Sequence, residues 1–278
     1  MEQFLHYFET IPSHHRSLIL IGGITLFWTI ENGLPLFKFD YQKWKHAVPN
    51  LFFTLTTVAI NFLLAFALFK ASYWTIESGF GVLNWIGDLG LGLKLFLGLC
   101  LLDLFGAYLP HWIEHKVHWL WKVHIVHHSD PHVDTTTANR HHPLESVVRF
   151  VFTLLGVIIV GAPVGLIMLY QSTSIVATQF NHANISLNPK LDKILSYIIV
   201  SPNMHKVHHH FKMPYTDSNY GNIFSIWDRV FRTFSYLAPN QISYGIDVFP
   251  DSEKNIKIWE LLKQPFMSYE RPNDFQSK

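Results

Sequence analysis

Residues 47–69 are 23 consecutive positions without a charge, and a run of that kind limits where the chain can go. At about 1.5 Å per residue a helix from Ala47 to Phe69 covers the ~30 Å hydrocarbon core of a bilayer. There every backbone N–H and C=O must be satisfied within the helix itself. The run predicts a membrane span, with Asn50 and Asn61 turned toward protein. Ser17 to Phe37 is a candidate earlier span, shortened by Glu31 and Pro35. Leu89 to Pro110 is a later one that carries Lys94 and Asp103. Lys94 can snorkel to the headgroups. Asp103, eight residues before His111, is costly against lipid. It reads either as an inward acceptor for a ligand imidazole or as an acid at the membrane boundary.

Val147 to Phe180 is apolar over 34 residues, too long at ~51 Å to cross as one straight helix. Gly161, Ala162 and Pro163 break it near the middle, which predicts a hairpin of two helices. A hydrophobic fraction of 49% and a mean hydropathy of +0.17 agree with a membrane class. The net charge of +1 gives no reason to expect nucleic acid, and the single Cys100 excludes a disulfide framework or a thiolate metal site. Met1 to Arg16 carries Glu2 and Glu9 and lacks the basic start of a secretory signal. Lys38, Lys43 and Lys45 lie between the first two spans, whereas Lys70 to Asp88 balances Lys70 with two acids. Positive-inside bias then puts the first of these loops in the cytoplasm and the amino terminus outside. Lys190 to Val200 has apolar residues at helical spacing, suited to a position along the interface, and Ile256 to Leu262 reads as a short amphipathic helix with lysines on its polar side.

Eighteen histidines complicate this picture, because nine of them fall between His111 and His142 and five between His182 and His210. His111 and His115 are four apart; His124, His127 and His128 form an HxxHH box, and His205, His208 and His209 form another. On a helix these intervals put imidazoles on one face, where the backbone has already fixed a chelating pair. Imidazole suits Zn, Cu, Fe or Ni. One zinc would need four of these residues, whereas the three boxes supply eight, so two metals fit better than one. Glu114, beside His115, points to another face and is not counted as a ligand. Lys206, flanked by box histidines, reads as a solvent-facing charge. If both histidine groups serve one centre, the chain must leave and return on the same side between His142 and His182, which the hairpin satisfies. The histidines then share the cytoplasmic face.

HWIEH from His111, WKVHIVHH, RHHPLE from Arg140, NHAN from Asn181, HKVHH, NYG and WDRVF follow one another in a definite order. This series, over about residues 98–235, resembles the fatty acid hydroxylase and sterol desaturase superfamily. The resemblance implies an all-α, multi-span membrane bundle with a His-rich di-metal domain at the membrane face. It also implies two iron ions, O2 as co-substrate, a lipid substrate from the bilayer, and an external electron donor for hydroxylation or desaturation. Zinc can substitute for iron in such ligand sets. Carried residue by residue, His111, His115, His124, His127, His128, His205, His208 and His209 match the ligand boxes, and His182 in NHAN matches a further ligand. His142 matches a histidine that either ligates or supports a ligand. Asn184 is a candidate holder of a metal-bound water. His118, His132, His141 and His210 fall off the pattern, and His6, His14, His15 and His46 have no metal spacing. Trp112 stands where an Arg is common, and Arg232 where the WDRxFGT-like ending usually has Gly. The resulting organisation is a transmembrane region over 1–97, a hydroxylase-like domain over 98–235 with its membrane hairpin at 147–180, and a cytoplasmic segment over 236–278. The alternative reading is a His-rich membrane protein that binds or transports zinc.

Overall fold

The computed structural model describes residues 2–87 and 89–269; Met1, Asp88 and the 270–278 end of the expected carboxy-terminal segment lie outside the described residues. The described residues contain no β-strand, only two isolated bridges, Pro35 with Ile185 and Ile199 with Phe224. A short helix, α1 (Glu2–Glu9), and a longer one, α2 (Ser13–Gly33), lead into α3 (Lys43–Ser78), which carries the uncharged run. Gly79 closes α3 in the left-handed conformation, and a single turn, α4 (Val82–Trp85), follows. The chain then continues from α5 (Leu91–Asp103) through a π-helical turn, Leu104–Tyr108, into α6 (Leu109–Lys116). Next come α7 (His118–His128), α8 (Pro143–Val160) and α9 (Val164–His182). Shorter helices complete the described chain: α10 (Pro189–Leu195), α11 (Pro202–His208), α12 (Ile226–Val230) and α13 (Ile258–Lys263).

Among the described residues, three helical stretches are long and apolar enough to cross a membrane: Lys43–Trp85, Leu91–Lys116 and Pro143–Val160. Their outward faces carry large apolar side chains such as Leu55, Phe62, Leu63, Phe96 and Val151, which are exposed in the isolated chain and suited to lipid. The expected span over Ser17–Phe37 is not among them. Its helix starts four residues earlier and ends before Pro35, and it holds a buried Glu31. α9 is also outside this set, since Gln171, Ser172, Thr173 and Ser174 interrupt its apolar character.

The hairpin breaks at the expected place. Gly161 caps α8 at φ +70°, and a Cβ there would come within 2.7 Å of the Phe80 carbonyl, so only Gly allows the close approach. Hydrogen bonds set the direction of packing. His46, near the start of α3, bonds Asp130, just past α7; Thr57 bonds Ser146 early in α8; and Ser72 donates to Ala162 at the hairpin turn. α8 therefore runs beside α3 in the same direction, and α9 brings the chain back to the end at which α7 and the start of α3 meet. Leu68, Leu102, Phe150, Val157, Leu166 and Ile167 form the largest apolar core between these helices.

Candidate metal centre

The histidine boxes lie on α6, α7 and α11, with His209 as the cap just past α11, and the intervals decide which group each ring joins. His111 and His115 project one turn apart from α6, and His124 and His128 one turn apart from α7. With His208 they form one group of five, whose candidate ligand nitrogens all lie within 4.8 Å of one another. His127, between the two α7 members, turns to a second group with His182, His205 and His209. The two HxxHH boxes are complementary: each gives its outer pair to one group and its middle histidine to the other. All nine rings are buried. The groups adjoin, with ring centroids 4.9 Å apart for His128 and His209 and 5.2 Å for His205 and His208.

The protons of several rings can be placed, since a carbonyl or carboxylate oxygen can only accept. His111 Nδ1 donates to the Tyr220 carbonyl (2.9 Å), His208 Nδ1 to the Ser218 carbonyl (2.6 Å) and His182 Nδ1 to the Thr178 carbonyl (2.8 Å). His124 Nδ1 donates to Glu145 (2.8 Å). Each of these rings then presents a bare Nε2 lone pair to its group, and those of His111 and His208 are buried without a partner. In the second group, His182 Nε2 stands 3.1 Å from Nε2 of His127, 3.1 Å from that of His205 and 3.2 Å from that of His209. One lone pair cannot satisfy three donors, and four lone pairs would repel. A cation among them removes both problems, so the donor set fits a metal ion. Burial also keeps the rings neutral, as ligation requires. It pushes His124 down to about 4 against the opposing charge of Glu145, and holds His127, His128, His205, His208 and His209 well below the ordinary imidazole value.

Several expected residues take other places. His142 joins neither group: it precedes α8, and its Nδ1 accepts from the Leu144 N–H (3.2 Å) as an N-cap. Its neighbour His141 is the one near the centre, stacked on His127 at 4.9 Å and donating to Glu145 at 2.7 Å. Asn184 does not face the groups. Its amide oxygen accepts from Phe37 N–H (2.9 Å) and its amide nitrogen donates to the Phe37 carbonyl (2.8 Å). Lys206 is buried, not solvent-facing, and donates to the Ala183 carbonyl; burial lowers it to about 8.

Asp103 touches no imidazole. It accepts from the backbone N–H groups of Ile223 and Phe224, each at 3.1 Å, and so steadies the loop whose Tyr220 carbonyl orients His111. Asp228 of WDRVF grips the same loop through the N–H groups of Tyr220 (2.8 Å) and Gly221 (2.9 Å). Glu145 and Arg149 had no role in the sequence reading. Glu145 also accepts from Arg149 (3.0 Å), which in turn donates to Glu114 (2.7 Å). Their i, i+4 spacing, continued back to His141, is the sequence signal that identifies them.

The profile of the fatty acid hydroxylase family matches residues 96–233, which hold all nine grouped histidines. The chain belongs to the fatty acid hydroxylase superfamily. Ornithine lipid hydroxylase OlsE of Rhizobium tropici is 25% identical over 164 residues, 58% of this chain and 48% of that protein. Alkylglycerol monooxygenase of Homo sapiens is 30% identical over 152 residues, 51% of this chain and 31% of that protein. The Danio rerio alkylglycerol monooxygenase is 30% identical over 172 residues, 58% of this chain and 35% of that protein. The chain thus matches less than half the length of each of these relatives. No solved structure matches it. Within the superfamily segment, α6, α7, α9 and α11 bring the grouped histidines together, while α2 and α3 pack on them from outside it.

Proposed function

We propose that the protein is a membrane-bound, non-haem di-iron oxygenase that inserts oxygen into a C–H bond of a lipid. The observation that carries this reading is the division of nine buried imidazoles into adjoining groups of five and four. In this assignment His111, His115, His124, His128 and His208 hold one metal, and His127, His182, His205 and His209 hold the other. His142 supports α8 rather than a metal. One structural zinc would use only four of these nine rings, whereas two adjoining neutral imidazole sets would suit a pair of iron ions acting on O2. When bound, the irons supply the O2 chemistry that side chains lack.

The reaction balances as RH + O2 + 2 electrons + 2 protons giving ROH + H2O. Both electrons come from a reductant of the reductase or electron-carrier class. The names of the relatives, a lipid hydroxylase and monooxygenases, favour hydroxylation over desaturation. The chain's own residues fix the rings through Tyr220, Ser218, Thr178 and Glu145. They exclude water by burial, and the apolar helices give a lipid chain access from the bilayer. The lysine-rich start of α3 lies at the histidine end, so positive-inside bias assigns this end to the cytoplasm in a multi-pass arrangement. A zinc carrier is not favoured: buried rings held by dedicated acceptors suit retention of an ion, not its passage.

The test is lipid analysis of cells expressing the intact chain, His127→Ala or His208→Ala, grown under 18O2. The native chain is expected to produce an 18O-labelled lipid absent from both variants at equal membrane abundance. Equal labelled product from the variants would overturn the reading.

A further inference from the structure

The second histidine group depends on a carboxylate from outside the superfamily segment. Glu31, near the end of α2, is only 3% exposed. Its Oε1 accepts the backbone N–H of Thr135 (2.7 Å) and of Asn184 (3.0 Å), while Oε2 accepts from Lys43 of α3 (3.2 Å). Thr135 opens the 3-10 turn that follows α7, the helix carrying His127. Asn184 lies two residues beyond His182, the ring around which the other three Nε2 atoms of the group are arranged. One oxygen therefore joins the exits of two ligand-bearing helices that are distant in sequence.

Other bonds at the joint converge on the same short segment. Thr135 Oγ1 donates to the Gln179 carbonyl (3.1 Å), Leu36 N–H to the Asn184 carbonyl (3.0 Å), and the buried Lys206 to the Ala183 carbonyl. The first group is anchored elsewhere, at the Tyr220 and Ser218 carbonyls and at Glu145. We infer that Glu31 is a positioning residue for the second metal position alone, acting by accepting two backbone N–H groups that set where His127 and His182 stand. The inference rests on the metal-binding reading above and adds that α2 is part of the working unit. Two buried donors facing an apolar side chain would have to move apart or find other acceptors, and either displaces His182 from its partners.

The experiment is a Co2+ titration of full-length, metal-free protein in detergent, read by visible absorption and by bound cobalt per chain. The native chain is expected to take up two ions. Glu31→Ala should weaken the second at least tenfold and leave the first within threefold. Glu31→Gln keeps an oxygen for both N–H groups and should restore the second ion to within threefold of native. Glu31→Asp, which withdraws the oxygen by one methylene, should weaken the second ion at least threefold with the first unchanged, and it decides the matter if the alanine variant does not fold. An unchanged second ion, joint loss of both ions, or a glutamine variant no better than alanine would overturn the inference. Failure of the native chain to bind cobalt would instead overturn the metal reading.

Discussion

Replacing Glu145 with Gln tests the first histidine group with little change of shape. The carboxylate accepts from His124 Nδ1 at 2.8 Å, from His141 at 2.7 Å and from Arg149 at 3.0 Å, and it is fully buried. A hydrogen bond to a charged acceptor contributes about 1.5–3 kcal/mol, against about 1 kcal/mol for a neutral one. The difference left on His124, about 0.5–2 kcal/mol, corresponds to roughly 2–30-fold at 1.4 kcal/mol per decade. Removing the carboxylate with Glu145→Ala forfeits the full bond, in line with the 10–100-fold that such supporting partners typically contribute to metal affinity. Both variants should weaken the ion held by His111, His115, His124, His128 and His208, with alanine the worse. The ion of the other group should be affected less, since none of its four rings bonds Glu145. Competition between the protein and a calibrated chelator for Fe2+ under anaerobic conditions gives both constants. Equal weakening of the two ions, or native affinity in the alanine variant, would refute the assignment of Glu145 to the first group.

Other outcomes follow from single features. Arg232 is held at φ +59°, in the left-handed region, where a glycine avoids a cost of about 1–2 kcal/mol. Arg232→Gly should raise the thermal midpoint by about 2–8 °C, and a lowered midpoint would contradict the strain. At Gly221 an added Cβ would meet Asp228 Oδ2 at 2.8 Å and the Phe224 carbonyl at 3.0 Å, so Gly221→Ala should lower the midpoint by several degrees. An unchanged midpoint would show that the loop yields freely. Metal-free protein should lose stability on acidification. The fold keeps His124 neutral down to about 4, while the unfolded chain takes up its proton near 6.5. Stability from this ring is complete above pH 6.5 and falls toward pH 4, by roughly 3 kcal/mol at 1.36 kcal/mol per unit. His127, His128, His182, His205, His208 and His209, all lowered by burial, act in the same direction, so the denaturant midpoint should be lower at about pH 5 than at about pH 7.5; equal midpoints would contradict it.

Features governed by local spacing were legible in the sequence. The HxxxH and HxxHH intervals placed the ligand candidates on helices, and Gly161 to Pro163 marked the turn that returns α9 to the same end. What the sequence did not disclose depends on partners far along the chain. His141 and His142 are adjacent and chemically identical, and only the start of α8 decides that one faces Glu145 while the other caps the helix. Asp103 reads in the sequence as either an acceptor for an imidazole or an acid at the membrane boundary, yet its partners are backbone N–H groups 120 and 121 residues away, which have no side-chain signature. Lys206 looks like an ordinary surface charge until the folded chain supplies the Ala183 carbonyl, and Glu31 gains its role only from the N–H groups of Thr135 and Asn184. The spacing of charges around α2 resembled a span with an interruption; the interruption, Glu31, proved to be the point at which α2 docks on the histidine domain.

The most direct measurement is the metal-to-chain ratio of the intact protein, purified anaerobically from iron-supplemented cells and determined by elemental mass spectrometry with amino-acid analysis. Two iron ions per chain, falling below one in the His182→Ala and His208→Ala double variant, is the predicted result. A native ratio of one or less after iron reconstitution would contradict a centre built from five and four imidazoles.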